Sequence, residues 1–396
     1  MRVIVIHSNL EPGGAETSLI GLLEALDSHG CEVDLFLYRH EGALMRFIPK
    51  GVRLLPECRV TRAFDLPAKE ALRRGGFAAV AARSAAKFLI ALRRSFGYAL
   101  SPDGLSYLSK RLVHRLALPF IPRIPGEYDL CLSFIDPHYI AVHRTRAKRV
   151  IGWLHTDFGA IGCASGADIR MWGGCDRIAT VSHSCKRAFD SAMSSLAYKS
   201  FVAENILSCN MVKSQSLAAL GAEMDRGAFK LLSVGRFAHA KNFDNIPDIC
   251  HRIRKFGYDC VWYIIGYGGD EELIKRRIKE AGCGDSVILL GRRDNPYPYI
   301  AACDLYVQPS RYEGKSVAVR EAQMLGKCVV ITAYPTSASQ LEDGVDGVIV
   351  PLDNAGCAAG IAALLADAGR RRRISAECSR RDYSNSDRWA ALVQGF

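Results

Sequence analysis

Short runs of β-branched and other apolar residues return along the whole chain, separated by segments with helical spacing. In the first half the runs are VIVI (Val3–Ile6), VDLFLY (Val33–Tyr38), VRLLP (Val52–Pro56), then YDLCLSF, RVIGWLH and RIATVS. In the second half they are KLLSVGRF, CVWYIIG, SVILLG, DLYVQP, CVVIT and GVIVP. Continuous apolar runs suit a parallel sheet covered on both faces, because a sheet with one wet face shows alternation instead. Strands that alternate with helices imply right-handed βαβ units and a doubly wound sheet. A chain of 396 residues exceeds one compact core, so two α/β domains with Rossmann-like parallel sheets are expected. The polar stretch NILSCNMVKSQSLAALGAEMDRGA reads as the linker between them. The expected boundaries are 1–210 and 211–375, followed by a basic helix over 376–396 that carries Trp389 and packs back toward the first domain.

Composition narrows the class. Hydrophobic residues at 49% and charged residues at 23% are ordinary for a globular protein and exclude wholesale disorder. VIVI is too short for a signal-peptide core, and no run approaches the roughly 20 apolar residues of a membrane span. A cytoplasmic location is expected. The 14 cysteines lie mostly in apolar segments with no C-x-x-C, which reads as free structural thiols in a reducing compartment and gives no metal-ligand spacing. The net charge of +11 is concentrated: residues 69–115 hold ten Lys or Arg against two acids, Glu70 and Asp103.

Two stretches carry chemistry. SVGRFAHAKNFD follows a strand directly, so Arg236 and Lys241 fall at the sheet's carboxyl edge, near a helix N-terminus whose free amides favour anions. That arrangement suits a diphosphate, against the plain alternative of two solvated cations. DLYVQPSRYEGKSVAVREAQMLG reads as strand, loop and helix, with Glu313-Gly314 in the loop and Glu321 in the early turns of the helix, eight residues on. A carboxylate accepts two hydrogen bonds, so such a pair can grip sugar and ribose hydroxyls.

Taken together, the run from Leu231 to about Leu352 resembles retaining glycosyltransferases of family 4 with the GT-B fold, whose signature is a loop glutamate and a helical glutamate at this spacing. GRFAHAKN resembles their diphosphate clamp, and IIGYGGDEE with VILLGRR resembles their nucleotide-pocket strands, which brings in Gly266 and Arg292. The wording EGKSVAVREAQMLGK, with YPTSASQLEDGVDGVIVPLDN, is most similar to members that build bacterial capsule, exopolysaccharide or O-antigen glycans. In the first half, SNLEPGGAE resembles the glycine-rich loop whose amides approach the donor phosphates, at Gly13 and Gly14. RVIGWLHTDF resembles the strand end bearing the cleft histidine, here His155, with Asp157 beside it. Where many members have a Gly-Phe-Gly-Leu-Pro type loop, this chain has Gly314-Lys315-Ser316-Val317. A Gly-Gly loop leading to a glutamate is replaced by Thr336-Ser337-Ala338-Ser339-Gln340. Both departures fall on segments that would line the sugar subsite, so they bear on which sugar is carried.

The resemblance implies transfer of a glycosyl unit from a nucleotide sugar, UDP first and GDP second, with retention and without a metal or other cofactor. The chain contains no Asp-x-Asp. Arg236, Lys241 and helix amides near Ser316 would stabilise the departing diphosphate, Glu313 would position the sugar, and Glu321 would bind the ribose. His155 would orient the sugar and support developing charge. The acceptor would be a glycan or lipid-linked glycan. The basic, apolar-rich segment 69–115 would then hold the protein on an anionic membrane surface at the inner face of the cell membrane. Nucleic acid is not expected as a partner. Two rivals are a nucleotide-sugar-binding protein without activity and an NAD-binding oxidoreductase. The latter would rest on Gly266-Tyr267-Gly268-Gly269, a partial fingerprint that lacks its third glycine.

Overall fold

The structure is a computed structural model that describes residues 1–95, 102–155, 158, 166–226 and 228–388. Asp157, Trp389 and residues 96–101 of the basic segment lie outside the described residues. The chain divides into two units, residues 1–207 with 385–396, and residues 208–384.

The first unit is built on a parallel sheet of seven strands: β1 (Arg2–His7), β2 (Glu32–Leu37), β3 (Val52–Leu54), β4 (Leu130–Ser133), β5 (Val150–Leu154), β6 (Arg177–Thr180) and β7 (Ser200–Val202). Val3 to Ile6 are fully buried, flanked by Val33–Phe36 on one side and Leu130–Ser133 on the other, as an unalternating apolar strand requires. β7 was not expected, because SFV is too short to stand out as an apolar run. The second unit has six parallel strands: β8 (Phe229–Val234), β9 (Cys260–Ile265), β10 (Val287–Gly291), β11 (Leu305–Gln308), β12 (Cys328–Thr332) and β13 (Val348–Val350).

The sheets are ordered β3-β2-β1-β4-β5-β6-β7 and β10-β9-β8-β11-β12-β13. Each begins in its middle, runs outward to one edge, then returns and runs to the other. The direction reverses between β1 and β4, and between β8 and β11. Loops leaving the carboxyl ends of strands at such a reversal diverge to opposite faces and leave a crevice, where open α/β sheets bind ligands.

Two boundary expectations change. The stretch read as a linker contains a helix of the second unit, Cys209–Ser216, and the units divide at Leu207 and Ser208. Ser208 caps the helix by accepting from the Met211 amide at 2.9 Å, and Met211 and Val212 are buried. Interleaved Ser, Asn and Gln hid its short apolar face. The C-terminal helix spans Ala368–Arg380, earlier than expected, and packs on β12 and on helix Val317–Met324 within the second unit. What rejoins the first unit begins at Asn385, whose side-chain amide donates to Asn205 O at 3.0 Å, with Arg388 3.5 Å from Glu204.

In the first unit the basic segment contains two packed helices, Phe77–Ser95 and Pro102–Ala117. The longer one is turned contrary to size. Ala79, Ala82 and Ala86 face the core, while Phe77 and Phe88 remain 66% and 68% exposed and Leu92 is exposed beside them. Phe77, Phe88 and Leu92 are eleven and four residues apart, close to whole turns, so they share one outer stripe. Val80 and Leu89, apolar residues of the same helix, pack against the core.

Candidate active site

In the second unit the loops leaving β8 and β11 meet at the reversal point. Arg311 fastens them: its guanidinium donates to both carboxylate oxygens of Asp244 at 2.9 and 2.8 Å, and its amide donates to Ala240 O at 2.8 Å. Asn242, buried and left-handed at φ 61°, donates from its side chain to Pro309 O at 2.9 Å. Asparagine tolerates that backbone better than most residues. The result brings Lys241 Nζ to 2.5 Å from Glu313 Oε1, which also accepts from Ser310 Oγ at 2.6 Å. Sequence spacing gives no hint of this pair, which lies 72 residues apart. Arg236 is exposed at the end of β8.

The loop after β9 lies against the loop after β8 because both are reduced to backbone where they touch. A Cβ at Gly266 would fall 1.9 Å from Gly235 O, and one at Gly268 would fall 2.4 Å from Phe237 O. Tyr267, between the two glycines, has the Arg292 guanidinium carbon 5.4 Å from its ring centroid. Gly266 and Arg292, from neighbouring strands, are thus brought to one place.

Gly314, Lys315 and Val317 are half-buried in the loop and first turn of helix Val317–Met324. The expectation for Ser316 changes. Its amide donates to Gln340 Oε1 at 2.7 Å, and Gln340 Nε2 lies 3.3 Å from Ser316 O, so this N–H is already used. The N–H groups of Val317, Ala318 and Val319 are the ones that helix geometry leaves without an intrahelical acceptor. Thr336 Oγ1 donates to Glu313 O at 2.7 Å, so the segment that departs from the family pattern ties down the glutamate loop.

Glu321 is buried on that helix, and Tyr297 donates to its Oε1 at 2.7 Å. Burial pushes the carboxyl up to about 7, against the opposing effect of the Tyr297 hydroxyl. Burial holds the nearby Tyr306 phenol well above its ordinary value, so it stays neutral in this range. A diol donates hydrogen bonds and favours the carboxylate. If Glu321 holds a diol, nucleotide affinity should rise as pH increases through about 7, and binding below that pH should release a proton. Calorimetry in buffers of different ionisation heat measures both, and an affinity independent of pH between about 6 and 8 contradicts it.

In the first unit, Gly13 and Gly14 open helix Gly14–Ser28 after β1. The space over Gly13 is filled by the protein's own Glu16, whose Oε2 would lie 2.4 Å from a Cβ there. Glycine at 13 therefore admits Glu16 as well as any ligand. Glu16 Oε1 is 3.3 Å from Nε2 of the fully buried His7. Burial raises the Glu16 carboxyl and pushes His7 down to about 3. Glu16 closes the SNLEPGGAE loop, where its spacing gives no hint of a buried partner.

His155 follows β5. Its ring meets Phe134 at 4.6 Å between centroids and lies nearly parallel to Trp153 at 6.1 Å. Nε2 is 2.9 Å from Phe134 O. A carbonyl only accepts, so Nε2 carries the proton and Nδ1 is the acceptor. Burial pushes the ring down to about 4, leaving it neutral at physiological pH. His155 thus offers an acceptor to a hydroxyl and no full positive charge, which narrows the role expected for it.

Among the described residues no group of three His, Cys, Asp or Glu side chains gathers as a metal site, and no helix is long and apolar enough to cross a membrane.

Residues 222–381 match the family model described as glycosyl transferases group 1. A 125-residue stretch is 32% identical to the Campylobacter jejuni N-acetylgalactosamine-N,N'-diacetylbacillosaminyl-diphospho-undecaprenol 4-alpha-N-acetylgalactosaminyltransferase, covering 31% of this chain and 33% of that protein. The lipopolysaccharide core biosynthesis glycosyltransferase LpsE of Rhizobium meliloti is 25% identical over 146 residues, 37% of this chain and 42% of its own. The chain therefore spans well under half the length of these curated relatives. Across 99% of both chains the fold is similar to Anabaena HepE in complex with UDP and glucose, with a TM-score of 0.63 and 17% identity. The two Rossmann-like parallel-sheet units are those of the GT-B fold, and the match to glycosyl transferases group 1 covers residues 222–381 within it.

Proposed function

We propose that the protein is a retaining glycosyltransferase that moves a sugar from a nucleotide diphosphate, UDP foremost, to a glycan or lipid-linked acceptor in bacterial surface polysaccharide synthesis. The observation that carries this reading is the Lys241–Glu313 pair at the reversal point of the second sheet, with Arg236 on the same loop after β8. Two cations there suit a diphosphate leaving group, the Val317–Val319 amides add partial positive charge, and Glu313 Oε2 remains for a sugar hydroxyl. Glu321 takes the ribose, and His155 accepts from a hydroxyl of the sugar or acceptor through Nδ1. The anomeric carbon's bond to the diphosphate oxygen breaks while the acceptor oxygen bonds on the same face. The acceptor's proton goes to the departing phosphate. The cations take the place that a metal holds in other transferases. UDP in the HepE complex and the diphospho-undecaprenol in the name of the Campylobacter relative support the donor and acceptor classes.

Release of UDP or GDP from a panel of UDP- and GDP-sugars, with and without EDTA, tests this reading. Release should survive EDTA. Glu313→Gln should lower turnover with little effect on UDP affinity, and Glu321→Gln should weaken UDP binding. Strict dependence on added Mg²⁺ or Mn²⁺, or full activity in either variant, contradicts it.

The outer stripe of helix Phe77–Ser95 supports a membrane-surface role for segment 69–115. Large apolar side chains face outward where alanines could have stood, and Arg73, Lys87, Arg93 and Arg94 are exposed in the same stretch. Such a face inserts at the head-group boundary, with each nearby cation adding roughly 1 kcal/mol on an anionic leaflet. Flotation should recover the protein with anionic but not neutral liposomes. Recovery should fall with salt and with Phe88→Ser plus Arg93→Gln and Arg94→Gln. Equal recovery with neutral liposomes contradicts the anionic-surface reading, and recovery with neither leaves the stripe without a lipid role.

A further inference from the structure

The grip on Glu321 comes from outside its own helix. Tyr297 opens the short helix Tyr297–Ala302 that precedes β11, and it is 5% exposed beside a glutamate that is 6% exposed. Its backbone is held through Asn295, whose Oδ1 accepts from the Tyr297 amide at 3.2 Å and whose Nδ2 donates to Gln215 O at 2.9 Å. The phenol therefore arrives at Glu321 Oε1 with little freedom. Tyr306, the other phenol near this carboxylate, is directed elsewhere, with its oxygen 2.9 Å from Gln308 Oε1 and 3.4 Å from Val234 O.

A carboxylate binds a diol well only when its plane is set before the ligand arrives, since a mobile side chain loses rotamer freedom on binding. Packing alone fixes a buried glutamate loosely, because its last torsion is broad. One hydrogen bond to Oε1 sets that torsion and leaves Oε2 and the second lone pair of Oε1 directed away from Tyr297.

We propose that Tyr297 is a positioning residue that presents Glu321 to the paired hydroxyls of the donor's ribose, and that the Tyr297–Glu321 pair thereby sets a preference for ribonucleotides over deoxyribonucleotides. The proposal rests on the reading of Glu321 as the ribose ligand. The burial that raises the Glu321 carboxyl acts against its ionised form, and the Tyr297 hydroxyl offsets part of that effect, so its removal weakens the acceptor as well as loosening it.

The test is calorimetric binding of UDP and of 2′-deoxy-UDP to the full chain and to Tyr297→Phe, Glu321→Gln and the double variant. Phenylalanine keeps the ring and the packing, and the melting temperature of each variant checks the fold. Tyr297→Phe should weaken UDP about tenfold, the worth of one hydrogen bond to a charged group, while 2′-deoxy-UDP changes less than about twofold. The double variant should bind UDP no worse than Glu321→Gln alone, because both changes remove one device. Equal weakening of both nucleotides by Tyr297→Phe overturns the proposal and leaves Tyr297 a packing residue. Additive losses in the double variant overturn it too. UDP affinity unchanged by Glu321→Gln overturns the ribose reading itself, and the positioning role falls with it.

Discussion

Replacing Lys241 by alanine should lower kcat/KM by roughly 10²–10³, the loss seen when one preorganised group is removed from a developing anion. The Nζ sits 2.5 Å from Glu313 Oε1 with both side chains largely buried, at 20% and 11% exposure, so solvent replaces it poorly. Its stem also crosses Gly235, within 3.3 Å of where a Cβ would stand, so the ammonium has little room to wander. Arg236→Ala should act in the same direction but less strongly, because the guanidinium is exposed and reaches a ligand only by ordering itself. Lys241→Ala also leaves Glu313 without its counter-charge, which would repel a diphosphate, whereas Lys241→Arg should restore part of the rate. Steady-state release of UDP from the preferred donor measures this, with melting temperatures to exclude unfolding. Activity of Lys241→Ala within fivefold of the parent, taking about 1 kcal/mol as the limit of a dispensable contact, would mean that the cation serves only the fold.

A second large effect is expected far from the phosphate groups. Arg111, on helix Pro102–Ala117, and Asp168, on helix Gly166–Gly173, form an ion pair whose side chains are 4% and 0% exposed. Asp168→Ala removes the carboxylate facing a buried guanidinium and should destabilise the first unit by about 3–5 kcal/mol. Arg111→Met combined with Asp168→Leu removes both charges and should cost far less, or nothing. Denaturant melts followed by the buried Trp172, two turns or fewer from Asp168, report on this unit. A loss under about 1 kcal/mol in the single variant would show that the pair is effectively solvated.

The fold was legible because its signal is long-range in pattern but local in cause. Each unalternating run from VIVI to GVIVP became a parallel strand, since such a run is soluble only when covered on both faces. What escaped were features with too little apolar length, namely β7 with three residues and helix Cys209–Ser216 with a narrow buried face. At the candidate site the residue types and their carboxyl-edge positions could be read from single strand–loop–helix units. Their partners could not. Lys241 meets Glu313, Ser316 meets Gln340 and Tyr297 meets Glu321 only after strand order decides which loops are neighbours. Protonation was equally out of reach, because it follows burial: the same sequence symbols describe a charged histidine and the neutral ring found at His155.

The return of the chain at Asn385 has a consequence for biosynthesis. The first unit draws its final contacts, Asn385 to Asn205 and Arg388 to Glu204, from residues translated after the whole of 208–384. On the ribosome the second unit can complete its sheet as soon as its own segment has emerged, but the first must wait for residues from Asn385 onward. A chain terminated and released near residue 384 would carry one finished domain and one still missing its clasp, so early termination there should expose the first-made half to proteases and chaperones while sparing the half made last.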